Sequence, residues 1–414
     1  MYFKVSPSII TISKVLFFIL IIAINLRIPI PFLREFLYFS FICVSFIFGN
    51  YKKISSVILL LAIWSISLLY NILVPGSDAI DGVWYQGIIV SSYLLLLIFS
   101  NKKYYKTIIN AFLFSAIIIS LFITIIWIVC ELNDPIKVFL RDYFSSLEDS
   151  TGLAFITIDT RMILGFPFHY VWYRTAPIIL PALGYFCIKR LTNKKRKKEK
   201  KTIFLIILLT FALAVSGQRA NLLAASLIFL FYLIVYMYQR KQFFRAILFF
   251  VATLIAAYYF SYALLNDKGS KSSSIKHLHQ ESYFDTFETD YVRTLFFGWG
   301  YGSTFYTQGR NKFVNITELS HWETIRRYGF VSFVFIMVFI WLKPLINKLK
   351  NENGITKYFY VVVVLAYVFV ACTNPFLLDS VGFCVLLFLD AFFEYDTLHR
   401  NDNVQRRTLS PRAA

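Results

Sequence analysis

The residues best suited to chemistry in this chain are arginines. Arg141, Arg161, Arg174, Arg219, Arg293, Arg310, Arg326 and Arg327 fall at or beyond one set of ends of long apolar runs, together with Arg27 in a short turn. A guanidinium donates two parallel hydrogen bonds, which suits phosphate better than a lysine does. Each of these arginines could instead snorkel to lipid headgroups, Arg326 and Arg327 above all. Arg219 and Arg293 are the better candidates for a ligand. Arg219 stands in Ser216-Gly217-Gln218-Arg219-Ala220, in a very short turn between two apolar runs. A helix starting there adds its own backbone N–H groups to an anion site.

A second group of residues could move a proton. The stretch from Thr317 to Gly329 contains Glu318, His321, Glu323, Arg326 and Arg327. If it is helical, Glu318, His321 and Ile325 share one face while Glu323 and Arg327 can pair on another. A carboxylate or imidazole beside a sugar hydroxyl is a suitable general base, because its pKa can be tuned towards neutrality. The alternative is a glutamate stabilised by the helix start and a histidine at the membrane surface. Gly298-Trp299-Gly300-Tyr301-Gly302 just upstream reads as a tight turn and lacks the spacing of a dinucleotide-binding loop. His277 and His279 have no nearby cysteine or carboxylate cluster, so no metal is assigned. Glu131, Asp134, Asp142, Glu148, Asp149 and Asp159 read as a solvated face.

The elements that carry these residues are membrane helices. Residues AVILMFWYC make up 58% of the 414 residues and aromatic residues 19%, well above the apolar content of a soluble domain. The five cysteines all sit in apolar stretches, at spacings that suggest neither disulfides nor zinc. A helix needs about 20 apolar residues to cross a hydrocarbon core of about 30 Å, and on that criterion about twelve stretches qualify. They are 9–26, 32–49, 54–74, 84–101, 107–130, 170–189, 202–217, 220–238, 246–265, 327–347, 357–374 and 380–396. The expected fold is therefore an all-α polytopic helical bundle, with 1–414 as a single integral membrane domain.

The net charge of +19 does not point to nucleic acid, because the basic residues gather at alternate ends of the runs. Lys52-Lys53, Lys102 to Lys106, Lys189 to Lys201, Arg240 to Arg245 and Lys348 to Lys357 mark the cytoplasmic loops, whereas 75–83 and 375–379 carry no Lys or Arg. Both termini are expected in the cytoplasm. The first apolar segment is expected to remain as a membrane helix, since it lacks a small-residue cleavage site. Two longer segments lie on the outer side: 131–169, and 266–326 before the tenth helix. The second opens with a polar stretch, Lys268 to Ser274, expected to be flexible, and continues as a densely aromatic one that should cap an outward-facing cavity with short helices. No internal repeat of the transporter kind is present.

Three features in order resemble the bacterial O-antigen and exopolysaccharide polymerases (Wzy-type) and the related O-antigen ligases. They are Ser216 to Ala220 at an outer helix junction, Arg293 followed by Gly298, Gly300 and Gly302, and Glu318 to Gly329 leading into a late span. The resemblance implies metal-independent glycosyl transfer, without a soluble cofactor, on the periplasmic face of the bacterial inner membrane. The substrates it implies are glycans on undecaprenyl diphosphate, and the partners are membrane lipid and a chain-length regulator of the kind such polymerases work with. Residue by residue, it implies that Arg219 and Arg293 take the diphosphate leaving group and that Glu318 or His321 activates the acceptor hydroxyl. Arg161, Arg174 and Arg310 would be further substrate-binding residues. An Arg-x10-Gly spacing of some polymerases occurs at Arg141 to Gly152 and is not repeated at Arg161, Arg293 or Arg310. His321 looks most like the ligases and Glu318 more like the polymerases. A lipid-linked oligosaccharide flippase should instead carry charges along its spans, and these spans hold few. A non-enzymatic membrane scaffold would tolerate alanine at Arg219, Arg293 and His321.

Overall fold

A computed structural model gives the architecture. It describes residues 7–27, 54–73, 101–151, 156–163, 166–192, 199–242, 271–300, 302–314, 317, 319–351, 355–372, 377, 379 and 381–394, with scattered positions between 36 and 43 and between 244 and 255. In chain order the elements begin with α1 (Pro7–Leu26), α2 (Ile54–Leu73), α3 (Tyr105–Leu132) and α4 (Asp134–Thr151). An antiparallel hairpin, β1 (Ile156–Ile163) and β2 (Phe166–Tyr173), leads to α5 (Ile179–Thr192), α6 (Glu199–Val215) and α7 (Arg219–Gln239). Then come α8 (Lys271–Thr289), a π-helical turn (Arg293–Phe297) and a short hairpin of β3 (Phe305–Thr307) and β4 (Lys312–Val314). The last described elements are α9 (Ser320–Tyr328), α10 (Phe330–Ile336), a second π turn (Met337–Leu342), α11 (Lys343–Asn351), α12 (Ile355–Cys372) and α13 (381–394).

The residues of α3 show why these helices form a bundle with an apolar exterior. Ile108, Phe112, Ala116, Ile119, Ile123, Ile126 and Cys130 recur every three or four positions and are buried. The other side is apolar too: Leu121, Ile125 and Ile128 are exposed. A helix that is apolar all round suits a membrane, whereas a soluble surface helix turns a polar face outward. Lys102–Leu132, Arg219–Gln239 and Phe330–Lys350 are long and apolar enough to cross a bilayer, and Ile10–Leu26, Val57–Tyr70 and Lys357–Cys372 are shorter apolar helices. These account for only part of the twelve expected spans. The candidates 32–49, 84–101 and 246–265 lie almost entirely outside the described residues.

Several expectations need correction. The apolar run expected as a helix over 170–189 is β2 up to Tyr173, and the helix begins only at Ile179. A short apolar run rich in aromatic and β-branched residues fits a strand as well as a helix by periodicity. In β1 the alternation is plain, with Ile156 and Ile158 buried and Thr157 and Asp159 exposed. Among the described residues, two hairpins interrupt a mainly helical chain. The outer segment 131–169 is α4 plus most of the first hairpin, and Lys271 to Ser274 open a helix where a flexible stretch was expected.

One end of the bundle gathers residues expected on the outer side. The Trp127 indole at the end of α3 donates to the His169 carbonyl of β2 across 3.0 Å. Tyr173 Oη donates to the Leu26 carbonyl and Thr175 Oγ1 to the Asn25 carbonyl, both across 2.6 Å. Those bonds satisfy carbonyls in the last turn of α1, which have no partner within their own helix. The opposite end carries Lys102, Lys103, Arg190 and Arg240, with Lys348 Nζ 3.1 Å from the Glu394 carboxylate of α13.

Candidate functional site

The short helix α9 and the elements around it hold the most constrained polar groups of that end. His321 lies in its first turn. The His321 Nδ1 is 3.1 Å from the backbone carbonyl of Cys372 at the end of α12. A carbonyl only accepts, so Nδ1 carries the proton and Nε2 holds a lone pair. Among the described residues Nε2 has no hydrogen-bond partner. Burial lowers the pKa of the imidazole, against a smaller opposing effect of the Cys372 hydrogen bond. The ring is therefore neutral at pH 7, which is the form a general base needs. Glu318 lies outside the described residues, and α9 starts two residues after it, at Ser320. Of the helical face expected to carry Glu318, His321 and Ile325, the described part is His321 and Ile325.

Behind His321 the same helix carries a buried ion cluster. Arg326 donates from Nε and Nη2 to the Glu323 carboxylate across 3.0 and 2.6 Å. Arg327 Nε reaches Oε1 of the same carboxylate, and Tyr283 Oη of α8 donates to Oε2 across 2.6 Å. Arg326 Nη1 donates to the Ser303 carbonyl across 2.9 Å. Arg326 is 0% exposed and Glu323 3%, so these groups reach neither headgroups nor a ligand. Burial alone would push the Glu323 carboxyl up, but the two guanidiniums outweigh it and hold it below the usual carboxylate range. The cluster pins α8, the 298–303 turn and α9 together.

Arg293 belongs to this assembly. Its guanidinium lies 4.3 Å from the centroid of the Trp299 ring and 5.8 Å from that of Tyr70, and Nε donates to the Gly298 carbonyl across 3.3 Å. Burial lowers its pKa, while Tyr70 and Asp290 act in the other direction. Gly298 has φ +71°, and a Cβ there would fall 2.4 Å from the Arg327 carbonyl carbon and the Tyr328 nitrogen. A turn at positive-φ Gly298 and Gly300 is present, and it lies against the backbone of α9, with the Trp299 and Gly300 N–H groups donating to the Arg326 and Arg327 carbonyls.

Arg219 is placed differently. It is the first residue of α7, preceded by Gln218, which makes no side-chain cap, and by Gly217 at φ +71° against the Tyr170 ring of β2. Arg219 is partly exposed, and among the described residues it makes no hydrogen bond or ion pair. Its neighbourhood is the first hairpin, whereas that of Arg293 is α9. Arg310 lies exposed in the β3–β4 turn, and Arg161 is in β1 opposite Phe168. Arg174 follows β2 and, with Arg27, acts electrostatically on Asp379.

Asp379 escaped the sequence reading because its loop carries no Lys or Arg. Its Oδ1 accepts from the Gly382 N–H across 2.8 Å, and its carbonyl accepts from Phe383 across 3.1 Å, so it caps α13. Burial pushes the carboxyl up to about 6, against the Gly382 bond and the charges of Arg27 and Arg174. The available signal was an Asp two residues before an apolar helix, close to where an N-cap stands. His277 pairs with Glu281 at 3.2 Å on the exposed side of α8, while His279 is buried against Thr307. The two histidines thus do not converge.

No family model matches the chain, and neither the curated proteins nor the solved structures provide a match. The site therefore has to be judged on its own chemistry. It offers a neutral imidazole with an available lone pair on the helix that carries the Glu323 cluster, and, beside the first hairpin, a half-open arginine at the start of a long helix.

Proposed function

We propose that the chain is a membrane glycosyltransferase that polymerises undecaprenyl-diphosphate-linked repeat units into O-antigen or a related surface polysaccharide. The reaction would take place on the periplasmic face of the bacterial inner membrane, with both termini in the cytoplasm. The observation that carries this reading is the His321 imidazole, anchored through Nδ1 on the Cys372 carbonyl and kept neutral by burial. An acceptor hydroxyl that donates to Nε2 becomes a nucleophile as it attacks the anomeric carbon of the growing chain. The bond from that carbon to the diphosphate breaks, the diphosphate leaves with the electron pair, and the proton passes to Nε2. Charge builds on the leaving group, so the best-placed partner is a cation whose hydrogen bonds are not already used. Arg219 meets that condition at an uncapped N-terminus of α7. Arg293, stacked on Trp299, contributes its charge from within the frame. Glu318 is the other candidate base, and Arg161, Arg174 and Arg310 are further binders of the glycan diphosphate.

A second reading is supported by the same imidazole. The ligases are the group this chain resembles at His321, so transfer of finished glycan to lipid A-core is the alternative. The length distribution of lipid-linked and surface glycan in a strain lacking the protein separates the readings. Single repeat units on the surface with the ladder lost support the polymerase, and long chains retained on undecaprenyl diphosphate support the ligase. Repeat units trapped on the inner leaflet would mean a flippase and end the catalytic reading. Full-length polymer from both Arg219→Ala and Arg293→Ala would remove the arginines from the mechanism.

A further inference from the structure

The helix α4 carries an apolar arc that the protein covers only in part. Ile136, Phe139, Leu140, Tyr143, Phe144 and Leu147 fall three and one residues apart in turn, which places them on one side of a helix of 3.6 residues per turn. Phe144 is 8% exposed, and Leu140 packs against the main core beside it. The adjoining half of the arc is open: Phe139 is 66% exposed, Tyr143 52% and Ile136 41%. The opposite side holds Asp134, Lys137, Arg141, Asp142, Ser145 and Glu148.

We propose that this open half is seated in the bilayer, so that α4 lies along the membrane interface at the Leu132 end of α3. The proposal does not depend on the reaction assigned above. Its main support is continuity with the lipid-facing side of α3. From Ile108 to Leu132, α3 rises about 37 Å at 1.5 Å per residue, more than a hydrocarbon core of about 30 Å. Its last turn therefore stands at the interface. Leu121, Ile125, Ile128 and Leu132, four and three residues apart, form its outward stripe, and Leu132 is 81% exposed. A single residue joins the helices. Asn133 ends α3 by donating its N–H to the Val129 carbonyl, and its Oδ1 accepts from the Ile136 N–H, both across 3.1 Å. The apolar stripe thus passes from Leu132 to Ile136, Phe139 and Tyr143 without leaving the interface. On the polar side Lys137 Nζ lies 2.9 Å from His169 Nε2, which ties α4 to the first hairpin. Acidic residues outnumber basic ones on that side, so apolar burial and not attraction to anionic lipid would hold the helix.

The test uses spin labels at Tyr143→Cys and Ser145→Cys, two positions about 200° apart on the helix, in full-length protein with Cys43 and Cys372 replaced by Ser. The protein is placed in nanodiscs of zwitterionic lipid, and label accessibility to oxygen and to a water-soluble nickel chelate is measured. The expected result is an oxygen-to-nickel ratio several-fold higher at 143 than at 145, little changed when anionic lipid is added. Equal, nickel-dominated accessibility at both positions would place α4 in water and overturn the proposal. A label at 143 shielded from both reagents would mean that protein, such as a second copy of the chain, covers the arc, and that also overturns it.

Discussion

His321 and Cys372 stand 51 positions apart, and one hydrogen bond of 3.1 Å between the imidazole Nδ1–H and the Cys372 carbonyl fixes which ring nitrogen is basic. This relationship makes a pointed substitution available. His321→Asn keeps an N–H donor where Nδ1 stands but has no group in place of Nε2. If His321 is the base, glycan transfer by this variant should fall by about 10²–10⁴, the usual contribution of general base catalysis. Its thermal stability should stay close to wild type. The sign of the pH dependence also follows: burial favours the neutral ring, so wild-type activity should decline with acidity only below the ordinary imidazole range. Transfer measured with purified lipid-linked repeat units checks both, and wild-type turnover by His321→Asn would remove the histidine from the reaction.

Glu323 tests the frame independently of catalysis. Its carboxylate accepts from Arg326, Arg327 and Tyr283 at once, so Glu323→Gln leaves two buried guanidiniums without their counter-charge. Breaking a buried pair from one side costs about 3–5 kcal/mol. Unfolding of the purified protein should report a loss of that order, and Glu323→Met with Arg326→Met should recover part of it. The carboxyl is held below its ordinary value, so this stabilisation is present above about pH 4.5 and is lost as the pH falls through the lower folded pKa.

Some of this was legible in the chain itself. The membrane class follows from composition, and α3, α7 and α12 follow from apolar runs of the right length. The pairing of Glu323 with Arg327 follows from a spacing of four residues. What sequence could not supply is the burial that turns this pair into a cluster, because Tyr283 lies 40 positions from Glu323 and Ser303 lies 23 positions from Arg326. Nor could it separate β2 from the helix after it, since Tyr170 to Tyr173 is uncharged and leads into the apolar stretch that begins at Ala176. The Cys372 carbonyl is a backbone group with no signature in sequence, so His321 was visible as a candidate while its tautomer was not.

Asp379 should give the protein a second, separable pH response. Its carboxyl is raised to about 6 from an ordinary 3.8, so the folded state holds its proton more tightly than the unfolded chain does. That contribution to stability is fully present below the ordinary value and is lost as the pH rises through about 6. Asp379→Asn keeps an oxygen for the Gly382 N–H but cannot titrate. Melting temperatures between pH 4 and pH 8 should therefore fall less for Asp379→Asn than for wild type, with the difference developing between the ordinary 3.8 and about 6 and constant above that. Parallel curves would show that the carboxyl does not titrate in this range.

The two glycines at φ +71° should respond unequally to alanine, and Gly298, with ψ 177°, lies in a region essentially confined to glycine. A non-glycine residue held in such sparsely populated backbone regions costs about 1–3 kcal/mol. At Gly217 the new methyl would meet Tyr170, with two ring atoms at 2.4 Å and its Cβ at 2.6 Å, so turning the ring is not enough and the β2 hairpin has to shift. At Gly298 it would meet the Arg327–Tyr328 peptide, also at 2.4 Å, and that backbone belongs to the helix carrying Glu323 and His321. Relief there requires α9 to move, which stretches the bonds from the Trp299 and Gly300 N–H groups to the Arg326 and Arg327 carbonyls. Overpacking of this kind adds about 1–3 kcal/mol. Gly298→Ala should accordingly be the less stable variant and should lose transfer activity by displacing His321 from the Cys372 carbonyl. Gly217→Ala should fold and weaken lipid-linked substrate binding through the Arg219 turn, seen as a raised KM with kcat largely kept. Equal losses of stability in the two variants would mean that the Gly298 turn and α9 are not packed as rigidly as the Glu323 cluster implies.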